Sequence, residues 1–293
     1  MKTIYQSLCF ERNNHFNGFS LKHLSQKLHK IALLCFVISI NSAVIADEVL
    51  VAVASNFIKP MQAISKQFTE TTGHEVRLSF GSSGKLMAQI KHGAPFDLFL
   101  SADKDKVIHL LDNGLAIKGS EFIYAQGRLV LWSTKQDFID KSGNILNSDN
   151  FRHIALADAK LAPYGRAAEQ VIKTLNINEQ IMEKMVRGES ISQTYQFVRT
   201  GNAELGFVAL SQMQQHSDAL KGSTWLIPDS YHQAIEQYAV TLSRAESNPA
   251  ATALSHFLQQ ESTLTLIRSF GYDLPESQLP SLPIKPKNYA DLR

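Results

Sequence analysis

Apolar and polar positions along this chain switch repeatedly between two periods. Glu48–Ala54 (Glu-Val-Leu-Val-Ala-Val-Ala) is a short β-branched apolar run and reads as a buried strand. Met61, Ile64 and Phe68 then recur at helical spacing within Met61–Thr71, and Gly73 ends that helix. Val76–Phe80 reads as a strand, Leu86–Lys91 as a helix closed by Gly93, and Phe96–Leu100 as a strand. Asp103 suits the N-cap of a helix over Lys106–Leu111. The pattern continues with strands at Leu129–Trp132, Ile154–Ala157, Leu205–Val208, Trp225–Ile227 and Tyr238–Leu242. A very short strand is expected around Met185–Val186. Helices are expected at Arg166–Leu175, Ser192–Arg199, Ala250–Gln260 and Thr263–Phe270. Strands alternating with helices predict an α/β fold with mainly parallel sheets, in which ligands sit beyond the carboxyl ends of strands.

Four short loops occupy such positions, each ahead of a helix-like run: Ala54-Ser55-Asn56, Gly81-Ser82-Ser83-Gly84, Pro163-Tyr164-Gly165 and Gly188-Glu189-Ser190-Ile191. A helix start exposes unpaired N–H groups and a partial positive charge. Four starts aimed at one point would hold an anion without Lys or Arg. Ser55 and Asn56 could instead simply cap the helix that begins near Phe57–Pro60. Ser82 and Ser83 each offer a hydroxyl and an N–H, between glycines that permit close backbone approach. Tyr164 would donate its backbone N–H, with its ring as a lid; otherwise it is a surface turn. Ile191 would donate only its N–H, and its side chain would help to dry the site and so strengthen the remaining bonds.

The N-terminal region changes the reading of charge and compartment. Lys22, Lys27 and Lys30 precede the apolar run Ile31–Ile40, then small residues and Val44-Ile45-Ala46, the order of a secretory signal peptide cleaved near Ala46. The apolar run is too short to span a bilayer comfortably. The first 21 residues exceed an ordinary n-region, and bulky residues around Cys35 argue against a lipoprotein. Residues 1–46 hold five of the 29 Lys and Arg and one of the 27 Asp and Glu, so the remaining 247 residues carry a net charge of −2. That leaves no electrostatic footprint for nucleic acid. Cys9 and Cys35, the two cysteines, leave with the segment, so the mature chain has neither disulfides nor a thiolate metal site. The Pro-rich end from Glu276 reads as a loosely attached tail.

Other chemistries fit poorly. Gly81–Leu86 lacks P-loop spacing, with Leu86 where Ser or Thr is needed. The nucleophile elbow G-x-S-x-G is not met either, because Gly84 directly follows Ser83. A serine hydrolase on Ser55 or Ser83 would need a base among scattered histidines such as His74, His92, His153 and His232. No His, Asp or Glu cluster has cation-ligand spacing.

Taken together, several motifs make the chain resemble the periplasmic molybdate-binding proteins of ABC uptake systems, within the type II periplasmic binding proteins, from about Val49 to Leu274. They are Val-Ala-Val-Ala-Ser-Asn (51–56), Ser-Phe-Gly-Ser-Ser-Gly-Lys-Leu (79–86), Gly-Ala-Pro-Phe-Asp-Leu-Phe-Leu-Ser-Ala-Asp (93–103), Ala-Pro-Tyr-Gly-Arg-Ala-Ala (162–168), Gly-Phe-Val-Ala (206–209) and Phe-Gly-Tyr (270–272). The resemblance implies an oxyanion site in which Ser55 and Ser83 donate hydroxyl and amide hydrogens and Asn56, Tyr164 and Ile191 donate backbone amides. It implies molybdate or tungstate as ligand, no cofactor, no catalysis, and no direct cation ligand. One branch of the family has a Tyr donor where this chain has Ala209. The family fold implies two α/β lobes with the ligand in the cleft, joined by crossings near Gly127–Leu131 and Pro228–Gln237. Lobe one would then comprise residues 47–127 and 237–276, lobe two residues 128–236, and the tail residues 277–293. The implied protein is a periplasmic monomer that delivers its oxyanion to a membrane permease with its ATPase. A different oxyanion, sulfate or phosphate, is the alternative ligand.

Overall fold

The computed structural model describes residues 47–213 and 222–274. The expected export segment and the Pro-rich tail lie outside the described residues. Two five-stranded sheets organise the described chain. The first has the order β2 (Glu75–Gly81), β1 (Glu48–Ala54), β3 (Leu98–Ser101), β10 (Ile235–Thr241), β4 (Phe122–Gly127). The second has the order β7 (Met185–Gly188), β6 (Ile154–Ala157), β8 (Leu205–Ala209), β5 (Leu129–Ser133), β9 (Ser223–Leu226). Each sheet is the floor of one lobe, with helices packed on its faces. The two-lobed α/β architecture expected above is present.

The strands of each sheet run mainly parallel, as expected, with one antiparallel member. β1 pairs in parallel with β2 and β3, and β6 with β7 and β8, but β10 runs antiparallel to β3 and β4, and β5 antiparallel to β8 and β9. Thus one strand in each sheet is reversed, and it is the strand entered just after the chain changes lobes. The cause is geometric: β4 and β9 end at the cleft with their neighbours, so the strands that follow, β5 and β10, must begin there and run outward. The changeover takes place at Arg128 and again over residues 227–234. Arg128 is held there by Asp273 at 3.0 Å and Asp229 at 3.5 Å.

In the first lobe, Val49, Val51 and Val53 of β1 pack against Met61, Ile64 and Phe68 of α1 (Ile58–Thr72), the three residues that the helical spacing picks out. Gly73 caps α1 in the left-handed region (φ 77°), its N–H donating to Thr69 O at 2.9 Å. The opposite face of this sheet is covered by α2 (Ser83–Lys91) and by α3 (Lys104–Asp112). Asp103 is the N-cap of α3, as its sequence position suggests, accepting from Lys106 N at 3.3 Å. In the second lobe, α4 (Pro163–Thr174) and the short α5 (Asn178–Met182) pack on Leu129, Leu131, Leu156 and Phe207. The other face takes α6 (Ile191–Arg199), with Trp132 stacked on Tyr195 at 4.9 Å between ring centroids. A four-residue helix, α7 (Leu210–Met213), follows β8. After β10 has returned the chain to the first lobe, α8 (Pro249–Leu258), capped by Asn248, and α9 (Glu261–Ser269) complete that lobe. Among the described residues no helix is long and apolar enough to cross a membrane.

Candidate functional site

The four helix-start loops all leave carboxyl ends of strands, and they meet between the lobes. Each is tied to another. Gly84 N–H donates to Leu161 O at 2.9 Å, joining the second loop to the third. Ser192 Oγ donates to Ser55 O at 3.0 Å, joining the fourth to the first. Lys85 Nζ reaches Glu189 at 2.6 Å, joining the second to the fourth, and Asp158 N–H donates to Gly188 O at 2.7 Å, joining the third to the fourth. Tyr164 and Ile191 pack in one apolar cluster with Ala54 and Ala102 of the first lobe. Ala54 adjoins Ser55, and Ala102 N–H donates to Ser83 Oγ at 2.9 Å. Ser55, Asn56, Ser83, Tyr164 and Ile191 thus lie in loops that are bonded or packed together, and all five are buried, but only Ser55 and Asn56 line the cleft described below.

Local sequence explains each loop. After β1 a 3-10 turn, Ser55–Phe57, precedes α1, and neither helix start has a side-chain cap. The capping role considered for Ser55 and Asn56 is thus not realised, because the Asn56 amide is committed elsewhere. Its Nδ2 donates to Gln237 Oε1 at 2.7 Å and to Tyr272 Oη at 2.9 Å. In the second loop Ser82 is the extended N-cap position of α2, and its buried hydroxyl has no hydrogen-bond partner. Gly84 allows backbone to meet backbone across the cleft: a Cβ there would lie 3.1 Å from Leu161 Cα. In the third loop Pro163 occupies the first turn of α4 and Gly165 fits beneath Ala157, where a Cβ would fall 2.2 Å from the carbonyl oxygen. In the fourth loop Ser190 caps α6 by accepting from Gln193 N at 3.3 Å, while Gln193 Oε1 accepts from Glu189 N at 2.7 Å, a reciprocal arrangement like a capping box.

Hydrogen-bond accounting then isolates the donors. Gly84, Gly165, Gln193 and Thr194 already spend their N–H groups on Leu161 O, Ala162 O, Ser190 Oγ and Ser190 O. Ser83, Tyr164 and Ile191 are the first or second residues of their helices, where no intrahelical acceptor exists. Ser83 Oγ accepts from Ala102 N, which leaves its own hydrogen to point elsewhere.

The carboxylates near these loops are engaged by cations. Glu189, the carboxylate nearest the loops in sequence, turns outward to Lys85. Asp103 is bound by Lys106 and by Arg166 of the second lobe, each at 2.7 Å. Burial, together with the neighbouring phenols, pushes Tyr124 and Tyr164 well above the ordinary tyrosine range, and burial likewise raises Tyr272, so all three stay neutral. A cleft of about 160 Å³ opens beside Ser55 and Asn56, lined also by Lys59, Ser192, Gln196 and Gln212. At Ala209 the chain offers no side-chain donor. Gln212 instead bridges Ala209 N, which donates to its Oε1 at 3.0 Å, and Ile191 O, which accepts from its Nε2 at 3.3 Å. Sequence patterns do not single out Ser192, Ser211, Gln212 or Gln237, and Tyr272 stands out only within Phe-Gly-Tyr.

Two α/β lobes that face each other across strand-end loops are the architecture of an extracellular solute-binding protein. The chain belongs to the bacterial extracellular solute-binding proteins, whose family pattern it matches over residues 49–273. It is 44% identical over 257 residues to the molybdate-binding protein ModA of Azotobacter vinelandii, covering 88% of this chain and 99% of that one. It is 43% identical over 239 residues to ModA of Rhodobacter capsulatus, covering 82% and 93%. The solved structure of the Azotobacter vinelandii periplasmic molybdate-binding protein matches it with a TM-score of 0.75 and 36% identity, covering 78% of this chain and 100% of that chain.

Proposed function

We propose that this protein captures molybdate, and tungstate with it, in the periplasm and delivers it to an ABC permease and its ATPase. In this reading Ser55 and Ser83 donate hydroxyl and amide hydrogens, and Asn56, Tyr164 and Ile191 donate backbone amides. The lobes follow the crossings: residues 47–127 with 237–276, and residues 128–236. The observation that supports the reading is that four helix starts come together between the lobes while the nearby carboxylates Glu189 and Asp103 are engaged by Lys85, Lys106 and Arg166. A donor-only site suits a fully deprotonated dianion and disfavours hydrogen phosphate, whose proton needs an acceptor. Hydrogen bonds to a charged group contribute about 1.5–3 kcal/mol each, so five to seven would support micromolar to nanomolar binding after association costs. Because each lobe supplies some of the shell, the anion favours the closed state. The names of the two relatives above support molybdate as the solute. Calorimetry of the purified protein with molybdate, tungstate, sulfate and phosphate tests this. Tight binding of the first two is expected, and heat from sulfate or phosphate alone would overturn the assignment.

A further inference from the structure

Two peptide units in the first loop are fixed by hydroxyls that come from the other lobe. The Ser55 carbonyl accepts from Ser192 Oγ at 3.0 Å, and Ser192 lies in the first turn of α6. The Asn56 carbonyl accepts from Ser211 Oγ of α7 at 3.0 Å and from Tyr272 Oη at 2.8 Å. In a trans peptide the carbonyl and the following N–H point in opposite directions. Fixing Ser55 O therefore fixes the direction of Asn56 N–H. A carbonyl that accepts a hydrogen bond also polarises its peptide unit and makes the attached N–H a stronger donor. The Asn56 side chain, held by Gln237 and Tyr272, stops the turn from rotating as a whole. One link of this set belongs to the second lobe alone: among the described residues, Ser192 is the one side chain that holds Ser55 O.

We propose that Ser192 is a positioning residue of the anion site. It sets Asn56 N–H through the Ser55 carbonyl, and it does so only when the lobes are closed. The proposal rests on the oxyanion reading above. The first lobe's donors are then incomplete while the cleft is open, and closure itself sharpens them. Ser211 holds the next carbonyl in the same way, but Tyr272 duplicates its bond. The two serines therefore differ in how much their loss matters.

Association and dissociation rates of molybdate, measured separately on Ser192→Ala, Ser192→Thr and Ser211→Ala, test this. Ser192→Ala is expected to dissociate about five- to tenfold faster, the scale of one lost hydrogen bond. Its association rate should stay within about twofold and its ligand-free melting temperature should not move. Ser192→Thr should restore the slow dissociation, and Ser211→Ala should change it by about twofold or less. On molybdate binding the Asn56 amide proton should shift downfield in the wild type and shift less in Ser192→Ala. An unchanged dissociation rate in Ser192→Ala, or a loss that appears in association, overturns the proposal. So does failure of Thr to rescue. A wild-type protein that binds no oxyanion removes the functional reading and the proposal with it. One that binds only sulfate removes molybdate alone, and the same rates read with sulfate then decide the role of Ser192.

Discussion

The phenol of Tyr164, from the second lobe, rests directly on Gly127, the last residue of β4 in the first. A Cβ at Gly127 would fall 2.0 Å from the Tyr164 hydroxyl oxygen and 2.8 Å from Cζ. The hydroxyl itself makes no hydrogen bond of good geometry. Gly127 is thus glycine for space, and the tyrosine is a buried wedge against the crossing strand.

Gly127→Ala should lower stability by about 1–3 kcal/mol through overpacking and should weaken anion binding, because Tyr164 N–H sits on the same displaced turn. Tyr164→Phe removes a hydroxyl that lies beside Tyr272 and Asn56 without meeting hydrogen-bond geometry, so it should change stability by less than about 1 kcal/mol. It should also recover some of the loss in Gly127→Ala. A double-mutant cycle in denaturant measures this, and strictly additive effects would contradict the contact.

Ser55→Ala and Ser83→Ala should each weaken molybdate binding by about 1–3 kcal/mol, the range for a lost bond to a charge. They should differ without ligand. Ser83 Oγ also satisfies Ala102 N–H, so its loss leaves a buried donor unpaired and should lower the melting temperature. Calorimetry paired with thermal unfolding reads both effects. Unchanged affinity in both variants would remove the site.

Gly84→Ala puts a Cβ 3.1 Å from Leu161 Cα and 3.1 Å from Leu161 O on the opposite lobe. The lobes must then separate by a few tenths of an ångström or tilt. We expect roughly tenfold weaker binding with little change in ligand-free stability, since the clash exists only in the closed form. Small-angle scattering should show less contraction on adding molybdate. Full contraction with wild-type affinity would refute the idea.

The buried phenols predict an alkaline limit. Tyr124, Tyr164 and Tyr272 have their ionisation raised in the folded state, chiefly by burial. Unfolded tyrosine ionises near pH 10, so their contribution is complete below that value and declines as pH rises toward the folded values. Stability should fall by about 1.4 kcal/mol per pH unit for each phenol still protonated in the native state. Denaturant titrations between pH 9 and 11, with phenolate absorbance followed in parallel, check the slope. All phenols ionising near pH 10 without loss of structure would contradict it.

Much of this architecture is legible in the sequence because it is local. Met61, Ile64 and Phe68 announce the buried face of α1, Gly73 its end, and Asp103 the start of α3. The loops at Ser55, Ser83, Tyr164 and Ile191 are visible as helix starts after strands. What escapes is either featureless or distant. β4, Phe122–Gly127, shows no clean alternation, because apolar residues fall on both its faces. The reversal of β5 and β10 follows from the changeover between lobes, which periodicity does not register. The bonds from Ser192, Ser211, Gln237 and Tyr272 to the first loop span 137, 155, 181 and 216 positions. A serine in a first helical turn looks like any other polar surface residue until the opposite lobe is in place.

The two chain crossings lie side by side. β4 pairs with β10 in the first sheet, and β5 pairs with β9 in the second. Ile227 N–H donates to Leu129 O at 3.1 Å next to the gap. The connection is therefore a two-ply leaf spring rather than a pair of independent strings. Such a strip bends easily across its broad face but resists shear and torsion, so the molecule should open and shut about one axis, like a book on its spine.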